Sequence, residues 1–513
     1  LLLTEKQTQI QALRDKMQRA KDTLTSTRIK ETLKHSKNHA VFNYVVQEFS
    51  KKLQEESIKQ SSKLHSYIPV AKLPHYVDRK SEQQELSQKL QKEGICVIYG
   101  HGGVGKSSLV AHYGHEQKSK QPVWWISAET WDKLIRSCEN IAQELGINYQ
   151  ALVQEFKDDP SKYLPELARK VYNALEDRRQ PALIILDNAL NSTLIAECLM
   201  NRPDLVQVII TTRDKKSFKE YSQVELKAFT SEEGKKYIQE SLRSLNPSEQ
   251  EIERLIKTVG LIPLELTTAV GYIDEGKNKT IFVNDIPRYK GIRRCIDELE
   301  KKSGSLRGVN LGLKTLNGPL QLMMQYGSYL DSDFIPLSLV SMLLEINNGQ
   351  EQELDDVLDK LRRLSLIEII DDGSNRQGIR IHQEIQSACK KYQDWNEENK
   401  LSKQDLIRNL VQILAKVMPE VDRVPDTKWD QARLYASNIT SILAYATEMI
   451  NPELAELLNY VGKYNQYVVH NYKQALSDYK QAYEMRQNLH TGNHPDIAAS
   501  LNNIGNVYFD LRQ

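Results

Sequence analysis

One run of the sequence has the residue types and the spacing that phosphate binding requires. It consists of Gly100, His101, Gly102, Gly103, Val104, Gly105, Lys106 and Ser107. Glycines let the backbone turn so tightly that several N–H groups point at one anion. The lysine reaches the β- and γ-phosphates, and the serine hydroxyl is offered to Mg²⁺. Because a helical pattern starts at Ser108, whose N-terminal dipole favours the same phosphates, the run predicts a P-loop that binds ADP or ATP with Mg²⁺.

A second apolar run ends in a carboxylate. Leu183, Ile184, Ile185 and Leu186 are followed by Asp187, which is the Walker B pattern. Since Mg²⁺ prefers oxygen ligands, Ser107 and Asp187 are the predicted metal ligands.

The residue after this aspartate bears on hydrolysis. Asn188 stands where a hydrolytic enzyme often has a second acid. An amide cannot accept the proton of an attacking water. The sequence therefore predicts a P-loop ATPase-type switch with at most slow ATP hydrolysis, and it leaves open whether the chain works as an enzyme.

Another apolar run is followed by an arginine. The segment Thr211-Thr212-Arg213-Asp214 ends a strand-like stretch. In an open parallel sheet, ligands bind beyond the carboxyl ends of the strands. Arg213 can therefore reach a γ-phosphate, and we predict that it acts with Lys106 and Asp187 as the catalytic set.

The elements that must position these residues alternate in type. Apolar runs at 95–99, 123–126, 182–186 and 208–211 have the length of strands buried on both faces, and helix-like stretches separate them. A fifth strand is expected at 223–226. This alternation predicts an α/β parallel sheet, whereas after Phe229 the pattern is helical, with one hairpin expected at 365–370 and 378–382.

The ordered motifs resemble a known family. Over residues 74–390 the sequence is similar to the NB-ARC branch of the STAND signal-transduction ATPases, which includes plant disease-resistance receptors, apoptosome scaffolds and bacterial regulators. The motifs are Tyr76-Val77-Asp78-Arg79, the strand 123–130, Arg213, Gly260 to Leu266, Leu330 to Leu337, and Ile381-His382-Gln383. The resemblance implies a P-loop domain, a helical domain and a winged helix.

The resemblance also assigns residues to the nucleotide. The entry motif with Val77 and Arg79 would lie with its backbone against adenine, and Pro263 would pack on the adenine. His382 would contact the β-phosphate of ADP. The sequence departs from the family at Gln383, where the family has aspartate, and at Asp78, where it usually has glycine.

The C-terminal part carries a repeat. A residue pattern recurs some 43 residues apart, with Val461-Gly462 in the first copy and Ile504-Gly505 with Tyr508 in the second. Ala475, Tyr479 and Ala482 follow the first copy. Small residues at these offsets allow close helix packing, and an aromatic residue fills the gap. This resembles tetratricopeptide repeats of the kinesin-light-chain type, which would bind a protein partner. The second repeat is incomplete at Gln513, and the chain starts without methionine, so we expect the natural protein to be longer.

Composition excludes some classes. The net charge is +1, with 69 basic and 68 acidic residues among 513, which gives no global attraction to nucleic acid or anionic lipid. No apolar run approaches the ~20 residues of a membrane span. The five cysteines form no C-x-x-C pair, so we predict a cytoplasmic protein with reduced thiols.

The predicted organisation has seven parts. They are an N-terminal helical region or short coiled coil at 1–60, a linker at 61–75, the P-loop domain at 76–228, the helical domain at 229–312, the winged helix at 313–395, a helical connector at 396–455 and repeats at 456–513.

The function predicted from these parts is that of an ADP/ATP switch. Nucleotide exchange would open the chain and allow it to form a homo-oligomer, with the repeats sensing a protein partner. Two alternatives are an active ATPase that performs mechanical work and a winged-helix DNA-binding regulator. The helix expected at 355–366 mixes basic and acidic residues, which makes nucleic acid an unfavoured partner.

Overall fold

The computed structural model describes most of the chain from residue 64 onward. The described residues are 64–70, 75–156, 160–190, 192–276, 280–283, 286–289, 291–302, 304–347, 349–371, 377–418, 421, 427–469, 471–490, 492 and 494–512. The chain divides into two units, Leu1–Leu64 and His65–Gln513. The predicted N-terminal helix and coiled coil lie outside the described residues.

The second unit begins with a parallel sheet flanked by helices. Its strands are β1 Ile95–Tyr99, β2 Val123–Ser127, β3 Ala182–Asp187, β4 Val206–Thr212 and β5 Ser222–Glu225. All pairs are parallel, in the order β2-β3-β4-β1-β5. Most side chains of β1 to β4 are buried, as expected for strands covered on both faces. The predicted α/β fold class is confirmed.

Six helices accompany this sheet. They are α1 Lys80–Glu93, α2 Lys106–Gln117, α3 Trp131–Glu144, α4 Tyr149–Glu155, α5 Pro160–Asp177 and α6 Ser192–Leu199. The registers Tyr99↔Thr212 and Ser127↔Asp187 align the carboxyl ends of four strands at one edge. This edge is where an open sheet binds its ligand.

The stretch predicted as a linker is in part tied to the sheet. The N–H of Tyr67 donates to the carbonyl of Val123 at 2.8 Å, and the N–H of Trp125 donates to the carbonyl of Tyr67 at 2.9 Å. The backbone at Tyr67 therefore pairs in parallel with β2, which is the strand at that edge of the sheet.

A helical region follows the sheet. Its elements are α7 Ser231–Ser241, α8 Glu249–Val259, α9 Pro263–Gly276, the hairpin β6 Thr280–Val283 with β7 Ile286–Tyr289, and α10 Ile292–Glu300. Helices α7 and α8 both begin with a capping box, Thr230 with Glu233 and Ser248 with Glu251. The prediction of helices alone in this region is wrong, because residues 280–283 and 286–289 are rich in β-branched and aromatic side chains and pair as the hairpin.

The next region has a three-stranded antiparallel sheet among helices. Its elements are α11 Arg307–Lys314, α12 Gly318–Gly327, β8 Ile335–Pro336, α13 Leu337–Leu343, α14 Glu351–Arg363, β9 Glu368–Asp371, β10 Gln377–Arg380 and α15 Gln383–Lys391. The strand order β8-β10-β9 is that of a winged helix, and the predicted hairpin is present. The first strand of this hairpin, β9, starts at Glu368 rather than Ser365. Ser365 adopts a left-handed conformation (φ +56°) where the chain reverses after α14.

The described C-terminal residues are helical apart from turns. The helices are α16 Lys403–Val417, α17 Thr427–Leu443, α18 Pro452–Tyr467, α19 Tyr472–Leu489 and α20 Pro495–Arg512. One hydrophobic core runs from Val309 to Ala482 and joins α16, α17, α18 and α19 to the winged-helix region. Within the described part of the chain, no helix combines the length and the apolar character that a membrane span needs.

Close packing of α18 against α19 depends on a glycine. A Cβ at Gly462 would lie 2.7 Å from the ring of Tyr479, which is fully buried and donates its hydroxyl hydrogen to Gln466 Oε1 at 2.9 Å. Ala475 and Ala482 are also fully buried. The predicted pairing of small residues with an aromatic side chain is confirmed.

Candidate functional site

The predicted P-loop connects β1 to α2. Gly103 and Gly105 have φ angles of +76° and +92°, which only glycine adopts readily. Lys106 is 7% exposed, and its ammonium donates to the carbonyls of Gly100 and His101 at 2.8 and 2.9 Å. An ammonium has three donors, so the loop fixes the lysine and leaves capacity for a further acceptor.

The environment of Lys106 lowers the cost of losing its proton. Burial lowers the pKa of Lys106 to about 8, and the nearby Arg213 guanidinium acts in the same direction. A phosphate at this position would reverse the effect, because an opposite charge favours the protonated form.

The two predicted metal ligands are in contact. The hydroxyl of Ser107 donates to Asp187 Oδ1 at 2.9 Å, and the hydroxyl of Thr211 donates to the same oxygen at 2.5 Å. Asp187 is 4% exposed, and burial raises the pKa of its carboxyl group. Hydroxyl and carboxylate oxygens are the donors that Mg²⁺ prefers, so this pair fits the ion. Thr211 is a further contact of Asp187, and no sequence motif marks it.

Arg213 is held by the winged-helix region. Its Nη1 lies 3.1 Å from Glu384 Oε1, and its Nη2 donates to Gln383 Oε1 at 2.9 Å. The guanidinium thus lies at the edge of the sheet formed by the carboxyl ends of the strands, where two side chains from α15 bind it. Glu384 was not among the predicted site residues, since no sequence motif includes it.

His382 caps α15 at the same place. Its Nδ1 accepts a hydrogen bond from the N–H of Glu384 at 3.2 Å, so the neutral ring carries its proton on Nε2. Burial lowers the pKa of His382 to about 4, and the cations of Arg213, Arg380 and Lys106 act in the same direction. The histidine therefore presents a neutral N–H donor among these cations.

The start of α9 packs on the P-loop. The N–H of Leu264 donates to the carbonyl of Gly103 at 3.1 Å, and a Cβ at Gly103 would lie 3.0 Å from Leu264 Cβ. Pro263, at the start of α9, is thereby placed beside the loop. The predicted nucleotide motifs from three regions thus meet at the loop.

Two protein families match parts of the sequence. Residues 78–241 match the NB-ARC domain family, and residues 453–513 match the tetratricopeptide repeat family. The chain carries an NB-ARC domain and tetratricopeptide repeats. No curated protein matches the sequence significantly.

Solved structures resemble this chain at low identity. A STAND protein with a tetratricopeptide repeat sensor from Pyrococcus horikoshii is 15% identical, with a TM-score of 0.45, over 88% of this chain and 67% of that chain. A Walker-type ATPase of Pyrococcus abyssi is 14% identical, with a TM-score of 0.32, over 63% of this chain and 98% of that chain. The two family matches alone carry the assignment.

The entry motif lies at the start of the NB-ARC domain. Val77 is 4% exposed. Arg79 is equally buried and donates to the Lys227 carbonyl at 2.7 Å and to Glu82 Oε1 at 3.0 Å. Its guanidinium also lies 5.2 Å from the centre of the Phe229 ring. The side chain of Arg79 thus ties the NB-ARC sheet to the helical region, which leaves only its backbone for the predicted adenine contact.

A buried ion cluster joins the NB-ARC sheet to the winged-helix region. Lys133 Nζ lies 2.7 Å from Asp331 Oδ1, 2.7 Å from Asp333 Oδ2 and 3.0 Å from Glu129 Oε2. Arg380 lies 3.7 Å from Asp333, and the Ser127 hydroxyl donates to Asp333 at 3.0 Å. The cluster holds its three carboxylates with cations of the protein itself, so it is a contact between regions.

Proposed function

We propose that this chain is an ADP/ATP-binding switch of the STAND/NB-ARC type, with Mg²⁺ as the ion and the helical repeats as a protein-binding sensor. The observation that carries the proposal is the meeting of Arg213 with Gln383 and Glu384 beside the P-loop. A nucleotide bound there would contact groups from two regions at once. It could therefore bias their relative arrangement.

The nucleotide contacts follow from the groups at the loop. Lys106 would hold the β- and γ-phosphates, and Ser107 with Asp187 would hold Mg²⁺. His382 would donate its Nε2 hydrogen to the β-phosphate. Val77, Arg79 and Pro263 would border the adenine, as the family resemblance implies.

The energetic basis of the switch is a difference in contacts. A γ-phosphate would attract Arg213, which in this arrangement binds side chains of α15. Only interactions that differ between two arrangements can shift their populations. ADP would favour the closed arrangement, and ATP would favour an open one that assembles into a homo-oligomer.

Slow hydrolysis distinguishes the proposed switch from an ATPase that performs mechanical work. Asn188 has no proton-accepting group, although Lys106, Arg213 and Mg²⁺ could stabilise charge. The absence of a water-activating acid at this position argues against rapid turnover. We therefore expect binding and exchange, rather than turnover, to carry the signal.

DNA binding by the winged helix is less favoured. In α14, Arg362 lies 2.6 Å from Asp359, and Arg363 lies 3.4 Å from Glu275. Arginines engaged by carboxylates do not form the basic face that a phosphate backbone requires.

The predicted cytoplasmic location is supported by the cysteines. All five, Cys96, Cys138, Cys198, Cys295 and Cys389, are free thiols. Free thiols persist in reducing compartments.

The proposal is tested by the nucleotide that the protein carries. Denaturing the purified protein and separating the released nucleotide should yield ADP. Light scattering should then show a larger assembly with a non-hydrolysable ATP analogue and Mg²⁺ than with ADP. Lys106→Ala should lower ADP affinity about ten- to a hundredfold, since it removes a charged contact of about 1.5–3 kcal/mol.

The control is Lys118→Ala, an exposed lysine just beyond α2. If calorimetry gives the same ADP affinity for Lys106→Ala as for the wild type, the P-loop assignment is overturned. An assembly of the same size with both nucleotides would overturn the switch.

A further inference from the structure

Glu384 is an acidic residue of α15 that approaches the P-loop. A Cβ at Gly102 would lie only 2.3 Å from Glu384 Oε1 and 3.1 Å from Glu384 Cδ. By contrast, a Cβ at Gly105 would meet nothing within 4 Å. The carboxylate therefore lies against the loop at Gly102, and a side chain at this position would have to displace it.

The position of Glu384 is set by its helix. Its N–H donates to His382 Nδ1, and the N–H of Gln386 donates to the carbonyl of His382 at 3.0 Å. Glu384 thus belongs to the first turn of α15, where the helix dipole favours a carboxylate. Its side chain extends from this fixed turn towards the loop.

The carboxylate contacts a cation that a third phosphate would need. Its Oε1 lies 3.1 Å from Arg213 Nη1, and its charge also acts on Lys106. A γ-phosphate requires the same two cations. A carboxylate and a phosphate placed close together repel each other, so both cannot bind Arg213 at once.

A ligand can displace the contact between Arg213 and Glu384. The side chains of Arg213 and Glu384 are 46% and 36% exposed, so water screens the pair. Gln383 also accepts from Arg213, but it is neutral and donates its amide hydrogen to Glu129. The charge that opposes a phosphate therefore comes from Glu384.

We propose that Glu384 is the residue that sets the preference of this site for a nucleoside diphosphate over a triphosphate. Its carboxylate lies against Gly102 and Arg213 and competes with the γ-phosphate, while the β-phosphate binds in the loop without displacing it. This inference rests on the proposed function. It adds a specificity residue from the winged-helix region to the nucleotide site.

The test is Glu384→Gln in the full chain. Glutamine keeps the length of the side chain and a hydrogen-bond acceptor for Arg213, but it removes the charge. We expect the affinity for a non-hydrolysable ATP analogue with Mg²⁺ to rise roughly tenfold, within the range of site-to-site coupling, and ADP affinity to change less than twofold. Calorimetry measures both. Glu384→Asp keeps the charge on a shorter side chain, so it should give a ratio between those of the wild type and Glu384→Gln.

The matched control is Glu397→Gln, an exposed glutamate paired with Lys400 outside the site. It should leave both affinities unchanged. An unchanged ratio of ATP to ADP affinity in Glu384→Gln, with wild-type binding that still depends on Lys106, would overturn this inference alone. An equal rise for both nucleotides would overturn it as well. Nucleotide binding that persists in Lys106→Ala would instead overturn the proposed function.

Discussion

The N–H of Asn188 donates to the hydroxyl oxygen of Thr211 at 2.9 Å, and Asn188 itself adopts a left-handed conformation with φ +57°. The Thr211 hydroxyl donates in turn to Asp187. Asparagine and aspartate are the non-glycine residues that tolerate this conformation best. Asn188 therefore supports the geometry of Asp187 through its backbone, whatever its side chain contributes to hydrolysis.

Replacing Asn188 by aspartate should raise the rate of ATP hydrolysis. The new carboxylate fits the left-handed backbone and can accept a proton from water, and a positioned base contributes on the order of a hundred- to ten-thousandfold. The gain should be partial, because two adjacent carboxylates can share a proton. Single-turnover assays at matched nucleotide occupancy measure the rate of ATP hydrolysis in the wild type and in Asn188→Asp. A wild-type rate of about one per second or faster would show that Asn188 is not limiting.

Replacing His382 by alanine should lower the ADP content of the purified protein. The change removes the neutral Nε2 donor, and a hydrogen bond to a charged group contributes about 1.5–3 kcal/mol. It also removes the cap of α15, which costs about 1 kcal/mol of stability. His382→Ser is the control, since a serine hydroxyl can cap the helix but cannot replace Nε2. Equal ADP content in the wild type and both variants would remove His382 from the site.

ADP affinity should fall as the pH rises above about 8. The pKa of Lys106 is about 8 in this arrangement, and a bound phosphate would raise it. Between the two pKa values, binding takes up a proton, so affinity decreases by up to about tenfold for each pH unit. Calorimetry at pH 8.5 in two buffers with different ionisation enthalpies should show this uptake. At pH 6.5, where Lys106 is protonated in both states, its contribution to the uptake should vanish. Equal uptake at both pH values would contradict the prediction.

Two glycines of the repeats provide a matched pair for stability. Gly462→Ala places a methyl group 2.7 Å from the buried Tyr479 ring, and such overpacking costs about 1–3 kcal/mol. A Cβ at Gly505 meets nothing within 4 Å, so Gly505→Ala in α20 should be neutral or slightly stabilising. Thermal denaturation followed by circular dichroism measures both variants. The same melting temperature in both would show that α18 and α19 do not pack as described.

Local features of the sequence were enough to predict the sheet and the phosphate loop. Strands buried on both faces have continuous apolar runs, and a P-loop has fixed glycine positions, so both can be recognised within a few neighbouring residues. Ser107 and Asp187 could be paired in advance, because parallel strands bring their carboxyl ends to one edge. The hairpin β6–β7 was missed, since short strands with a proline resemble irregular segments.

The partner of Arg213 was decided by the tertiary structure. Glu384 lies 171 residues away in the sequence, in another region, and no motif marks it. The buried partners of Lys133 are likewise 198 and 200 residues away. Such contacts depend on how separate regions pack, and residue types and spacing within one segment carry no information about that packing. The sequence by itself determined the groups that can hold a nucleotide, whereas the packing of the winged-helix region against the sheet decided which side chains compete with it.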